Sequence, residues 1–173
     1  GVASEVMQFS NIIVKMSEIL IKEQFLNTQK QFKRENNRII MELITKDKIL
    51  IEEISNKMNE LGYDEDNFSY FAVCELDHFD SSNVEVSNLI YNSIEKRIHY
   101  RDLIARFQNK FLILTQLDNI DKFIKKINLI KIYVEKKYKI GITIGISDKI
   151  NGAKDIKNAF KQADTVVELG ANK

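Results

Sequence analysis

The 173 residues are 44% hydrophobic and 29% charged, enough for one packed domain with a charged surface and an additional helical segment. Lysine plus arginine number 26 against 25 acidic residues, and a net charge of +1 excludes a global pull toward nucleic acid or anionic membrane. Cys74 is the one cysteine, so no disulfide framework can form, and no apolar run approaches the ~18 to 20 residues of a membrane span. A cytoplasmic protein with no membrane segment is the expectation.

Residues 4–45 read as one long helix. Neither Gly nor Pro interrupts them, and apolar residues recur at Phe9, Ile12, Ile13, Met16, Ile19 and Leu20, then again at Ile39, Ile40 and Leu43. About 40 residues at the helical rise span about 60 Å, more than the width of a small domain. Residues 1–46 are therefore expected to be a signalling and dimerisation stalk that joins two copies. The competing reading is two shorter helices folded onto the domain.

Residues 47–61 follow as an amphipathic helix with Leu50, Ile51, Ile54, Met58 and Leu61 on one face, closed by Gly62. Residues 68–76, "FSYFAVCEL", form a strand in which Cys74 reads as a small buried hydrophobe. A helix is predicted over 84–98. Two strands, "DLIARF" and "KFLILTQL", are separated only by Gln108 and Asn109, the length of a tight hairpin.

A helix over 121–137 leads to a strand over 138–147, where Ile140, Ile142, Ile144 and Ile146 alternate with Gly141, Thr143 and Gly145. The two glycines predict close packing of a helix over a central strand, or a bulge. Asn151 and Gly152 mark a turn before a last helix over 153–169. Residues 47–173 thus read as an α+β domain of the ferredoxin-like kind, an antiparallel sheet with packed helices.

Chemistry is sparse. "ELDHFDSSN" ends the first strand with Glu75 and Asp77 alternating, a candidate hard-metal pair, although acids at strand ends are commonly solvated or capping. His78 and His99 are the two histidines, and neither has a Cys or a second His at zinc spacing. Arg97 and Arg101 flank His99 and read as a solvated helix end, with anion binding the lesser alternative.

Four stretches in order resemble the GGDEF domains, the diguanylate cyclases. "ELDHFDSSN" is similar to the family's D-x-D-x-F-K-x-x-N-D, with Glu75 on the metal-binding Asp, Asp77 on the second Asp, Phe79 on the Phe and Asn83 on the guanine-contacting Asn. "RDLIARFQNKFLIL" resembles D-x-x-A-R-x-G-G-D-E-F-x-I-L, with Asp102, Ala105, Arg106 and Phe111 in register. "GITIGIS" and "AFKQADTVVELG" resemble the family's closing strand and helix. The resemblance implies a GGDEF/cyclase-like sheet.

The departures imply loss of catalysis. Glycines in the signature hairpin admit nucleotide phosphates close to the backbone. The acids that follow hold metal. This chain has Gln108, Asn109 and Lys110 instead, one residue fewer, with no glycine and no carboxylate. Asp80 stands where the family has Lys, and the product-inhibition motif R-x-x-D is absent, with His99 three residues before Asp102. Phosphoryl transfer depends on positioning and charge neutralisation, so little of it is expected to remain.

The helical lead-in ending "RIIMELI", the Leu61–Gly62 helix end and the closing "GIS…AFKQA" also resemble degenerate GGDEF-like domains of bacterial transcription regulators of the PucR/CdaR type or AraC-type response regulators. Both termini look cut from a longer chain. The expectation is a non-catalytic regulatory, dimerisation and signal-relay domain with no cofactor, which reaches DNA only through a C-terminal domain outside this sequence. The alternative is a nucleotide sensor without turnover, with Asn83 and Arg106 on the nucleotide and Glu75 and Asp77 on metal. An active cyclase is the disfavoured third reading.

Overall fold

The computed structural model describes residues 1–45, 51–80 and 82–171, without the side chains of Phe32 and Ile51. The expected start of the second helix at residues 47–50, the apolar position Leu50, the side chain of Ile51 and the 46/47 domain boundary lie outside the described residues.

Two compact units are present, Gly1–Glu35 and Asn36–Lys173. The first is the amino-terminal part of α1, Val2–Thr45, one helix rather than two. Residues 2–31 are exposed throughout, Phe9, Met16 and Leu20 included. No helix of the described residues is long and apolar enough to cross a membrane.

The second unit takes the last turns of α1, then α2 (Ile51–Glu60), β1 (Tyr70–Leu76), α3 (Val84–Glu95), β2 (Leu103–Phe107) and β3 (Lys110–Thr115). It closes with α4 (Ile120–Tyr138), β4 (Ile142–Ile146) and α5 (Ile156–Ala171). The sheet order is β2-β3-β1-β4, with every neighbouring pair antiparallel. This is the predicted ferredoxin-like arrangement.

The central strands β1 and β3 are covered on both faces, which is why "YFAVC" and "FLIL" read as unbroken apolar runs rather than alternating ones. On one face Ala72, Cys74, Ile104, Phe111 and Ile113 pack against Ile90 and Ile94 of α3 and Phe123, Ile127, Ile130 and Val134 of α4. On the other, Phe71, Val73, Leu103, Ala105, Leu112 and Leu114 meet Ile39, Ile40 and Leu43 of α1, Ile54 and Met58 of α2, and Ala159, Ala163 and Val167 of α5.

Local chemistry sets the element ends. Gly62 takes φ +82° after α2, and Tyr63 N–H donates to the Met58 carbonyl at 2.8 Å, a glycine-terminated helix end. Asn83 and Asn119 cap α3 and α4 through their side-chain oxygens. Among the described residues, the boundaries that depart most from the sequence reading are three. Helix α3 stops at Glu95, and Ala153–Asp155 is a 3-10 turn that precedes α5. Strand β4 starts only at Ile142, because α4 runs to Tyr138 and closes with Lys139 in the left-handed region at φ 58°.

Gly145 does receive a helix at close range: a Cβ there would overlap the Ala163 carbonyl of α5. The strand is, however, an edge strand rather than the central one expected.

Candidate functional site

The ends of β1 and β3 meet at the hairpin. Glu75 is registered opposite Lys110, and the two-residue turn between β2 and β3 places Gln108 at φ 57°. Asn109 uses both its backbone and its side chain to close on β1. Its carbonyl accepts from Leu76 N–H at 3.0 Å, and its amide donates to Glu75 Oε1 at 3.2 Å and to the Leu76 carbonyl at 3.4 Å.

Lys110 lies between two carboxylates, 2.7 Å from Asp164 Oδ1 on α5 and 3.7 Å from Glu75 Oε2. Burial alone would pull its pKa down. The hydrogen bond and charge of Asp164, with Glu75 and Glu168 beyond, outweigh that and hold the ammonium above the ordinary lysine value. Asp77 continues the same edge. Its N–H donates to the Gly141 carbonyl at 2.8 Å and its Oδ1 accepts from the Thr143 hydroxyl at 2.8 Å. A Cβ at Gly141 would push the Asp77 carboxylate aside.

An open cavity of about 430 Å³ adjoins these groups, lined by Glu75, Asp77, His78, Phe79, Asn109 and Thr143 among others. A GGDEF/cyclase-like site would hold Mg²⁺ here, and these donors do not fit it. Glu75 and Asp77 are already held by Asn109 and Thr143, and the fixed Lys110 charge repels a divalent cation. Among the described residues, no group of three or more His, Cys, Asp or Glu side chains is placed to hold a metal ion.

Glu75 and Arg106 project from opposite faces of the sheet. Glu75 shares a face with Lys110 and Thr143, beneath α5. Arg106 is registered opposite Phe111 and points to the α3 and α4 face. Its guanidinium donates to Ser87 Oγ at 3.0 Å and Asn88 Oδ1 at 2.8 Å, and its backbone N–H donates to Asn37 Oδ1 of α1 at 2.8 Å. Asn83 is exposed and accepts from Val86 N–H as the cap of α3. So Glu75 and Asp77 line one cavity, while Asn83 and Arg106 bond to the first turns of α3.

Asp102, a register landmark in the sequence, is a buried anchor. It accepts from the Thr115 hydroxyl at 2.9 Å, Gln116 N–H at 3.2 Å and His99 N–H at 3.1 Å, with Lys126 at 4.0 Å. Arg97 stacks on Tyr133, 3.3 Å from the ring centroid, and donates to the Ser93 carbonyl, so it ties α3 to α4 rather than waving in solvent.

Sequence reasoning missed Asn109 and Thr143 as partners of Glu75 and Asp77, and Asp164 as the partner of Lys110. Asp164 is 54 residues from Lys110, and no local pattern signals that contact.

No family model matches the chain, and no curated protein sequence matches it. Among solved structures it aligns with the diguanylate cyclase SiaD of Pseudomonas aeruginosa, determined in complex with its activator SiaC. The TM-score is 0.53 and the identity 14%, over 98% of this chain and 74% of that one. A likeness at that identity speaks for architecture alone: the chain has a GGDEF/cyclase-like α+β fold with a long amino-terminal helix.

Proposed function

We propose that this chain is a degenerate, non-catalytic GGDEF-like domain that relays a signal and sets dimer geometry within a bacterial transcription regulator. The DNA-binding part belongs to sequence outside it. The observation that carries this reading is the place of Lys110. A cyclase needs a carboxylate-bound cation beside the hairpin, and here a covalently fixed ammonium stands between Glu75 and Asp164. The hairpin offers side chains where backbone must approach phosphate, because Gln108 and Asn109 replace glycine.

Helix α1 supplies the relay. Its last turns, Ile39, Ile40 and Leu43, are buried in the core, and Asn37 holds the Arg106 amide of β2. A displacement of the helix therefore reaches the sheet and, through Arg106, α3. Its exposed apolar residues between Val6 and Leu26 support pairing of two copies through this helix. SiaD was determined with an activator protein, which supports protein contact as a mode of control here too.

The nucleotide-sensor reading draws no support from a geometry that separates Glu75 from Arg106. Purified protein incubated with GTP and Mg²⁺ tests the proposal. No cyclic dinucleotide and no saturable GTP binding are expected; product would overturn it in favour of a cyclase, and binding without product in favour of a sensor. A monomer by light scattering with α1 intact would overturn the dimerisation part.

A further inference from the structure

We propose that the open edge of β4 is a homotypic interface. Two copies of this chain would pair through β4, antiparallel about a two-fold axis near Gly145, with their α5 helices side by side over the joined sheet.

The two edges of the sheet differ in degree. At β2, Arg106 N–H donates to Asn37 and the Ile104 carbonyl accepts from the Tyr91 hydroxyl at 3.4 Å, which leaves the Ile104 N–H as the one outward amide that nothing meets among the described residues. At β4 the bonds from Asp77 N–H to the Gly141 carbonyl and from Ser147 N–H to the Phe71 carbonyl show that odd-numbered residues address β1. Ile142, Ile144 and Ile146 therefore direct their backbone groups outward. Glu135 takes the Ile142 N–H at 3.1 Å and marks one end of the open edge. Among the described residues, nothing meets the N–H groups of Ile144 and Ile146.

Edge strands of monomeric proteins are commonly guarded by a lysine, a proline or an inward charge. Residues 140–147, "IGITIGIS", carry none of these, in a chain that is 29% charged. The edge is chemically a strand that expects a neighbour.

Helix α5 identifies that neighbour. It straddles β1 and β4, with Phe160 against Phe71 and Ala163 over Gly145. Phe160 and Asp164 define its flank toward β1 and β3, since Asp164 reaches Lys110. The opposite flank overhangs the β4 edge. It presents Val166, whose Cβ comes within 3.1 Å of a Cβ built on Gly145, and Leu169, and these are 47% and 67% exposed.

Strands pair 4.7–4.9 Å apart, and a helix straddling the last two strands lies about half that distance inside the edge. Two β4 strands paired edge to edge would thus place the two α5 axes about 10 Å apart, at the upper end of the separation of packed helices. A second copy satisfies the strand edge and the Val166–Leu169 flank together. An extended peptide would satisfy the edge and leave the flank in water.

Backbone amide exchange on the full chain tests this, read over residues 140–147 in dilute and concentrated protein and in Leu169→Lys. We expect the Ile144 and Ile146 amides to slow at least about tenfold across an about 100-fold rise in concentration, because pairing protects them by mass action. Leu169 is mostly exposed, so Leu169→Lys should fold with the wild-type melting temperature in dilute solution and lose the protection gained on concentration. Association through α1 alone leaves these amides fast at every concentration, and that result would overturn the proposal. So would protection that persists undiminished in Leu169→Lys.

Discussion

Replacing Lys110 by Met tests whether a built-in cation holds the ends of β1, β3 and α5 together. The substitution keeps chain length and apolar stem and removes the charge, leaving Glu75 and Asp164 facing each other. Lys110, Glu75 and Asp164 side chains are 15%, 22% and 21% exposed, between a surface pair and a buried one. Exposed pairs contribute about 0–1 kcal/mol and breaking a fully buried pair costs about 3–5, so a loss of about 2 kcal/mol is expected. For a unit of this size that lowers the melting temperature by roughly 8 °C.

Because the folded pKa of Lys110 is raised, its contribution is fully present below the unfolded lysine value near ~10.4 and fades as pH climbs through the folded value. Thermal denaturation of Lys110→Met and wild type should therefore differ at neutral pH and converge in strong alkali. Lys110→Asp is the complementary arm. It places three carboxylates together, and added Mg²⁺ should raise its melting temperature while leaving wild type unchanged. Equal stability of Lys110→Met and wild type at neutral pH would refute the cation's structural role. Stabilisation of wild type by Mg²⁺ beyond that by matched ionic strength would refute its role as a stand-in for metal.

Cys74 is buried between β3 and β4, and burial pushes its thiol up to about 12. Native protein should resist iodoacetamide at mildly alkaline pH and react only as it unfolds; labelling at the rate of a free thiol would contradict the packing. The raised value also means that the Cys74 contribution is complete below the unfolded thiol value and lost as pH rises toward 12. Gly145→Ala drives a methyl into the Ala163 carbonyl and should cost about 1–3 kcal/mol by urea denaturation, as overpacking does. A neutral result there would mean that α5 does not lie on β4 at this distance.

Much of the fold was written locally. Sequence pattern marked the five α-helices and four strands of the described residues, though not the 3-10 turn at Glu65–Asn67, and Gln108–Asn109 announced the hairpin that the structure contains. Gly145 signalled a close helix. Element ends were less legible: Tyr138 continues the apolar face of α4 instead of opening the strand, so β4 starts only at Ile142, past the left-handed Lys139.

Tertiary structure alone decided what the acids do. Their function depends on which face of the sheet each side chain takes, and that follows from register between strands distant in sequence. Glu75 and Arg106 look like neighbours in an aligned motif, yet β1–β3 and β2–β3 pairing sets them on opposite faces. Lys110 reads as a mere replacement in the hairpin until Asp164 arrives from α5 to hold it. Local periodicity is a property of adjacent residues and survives in the sequence; an ion pair across 54 residues exists only once the core has chosen its register.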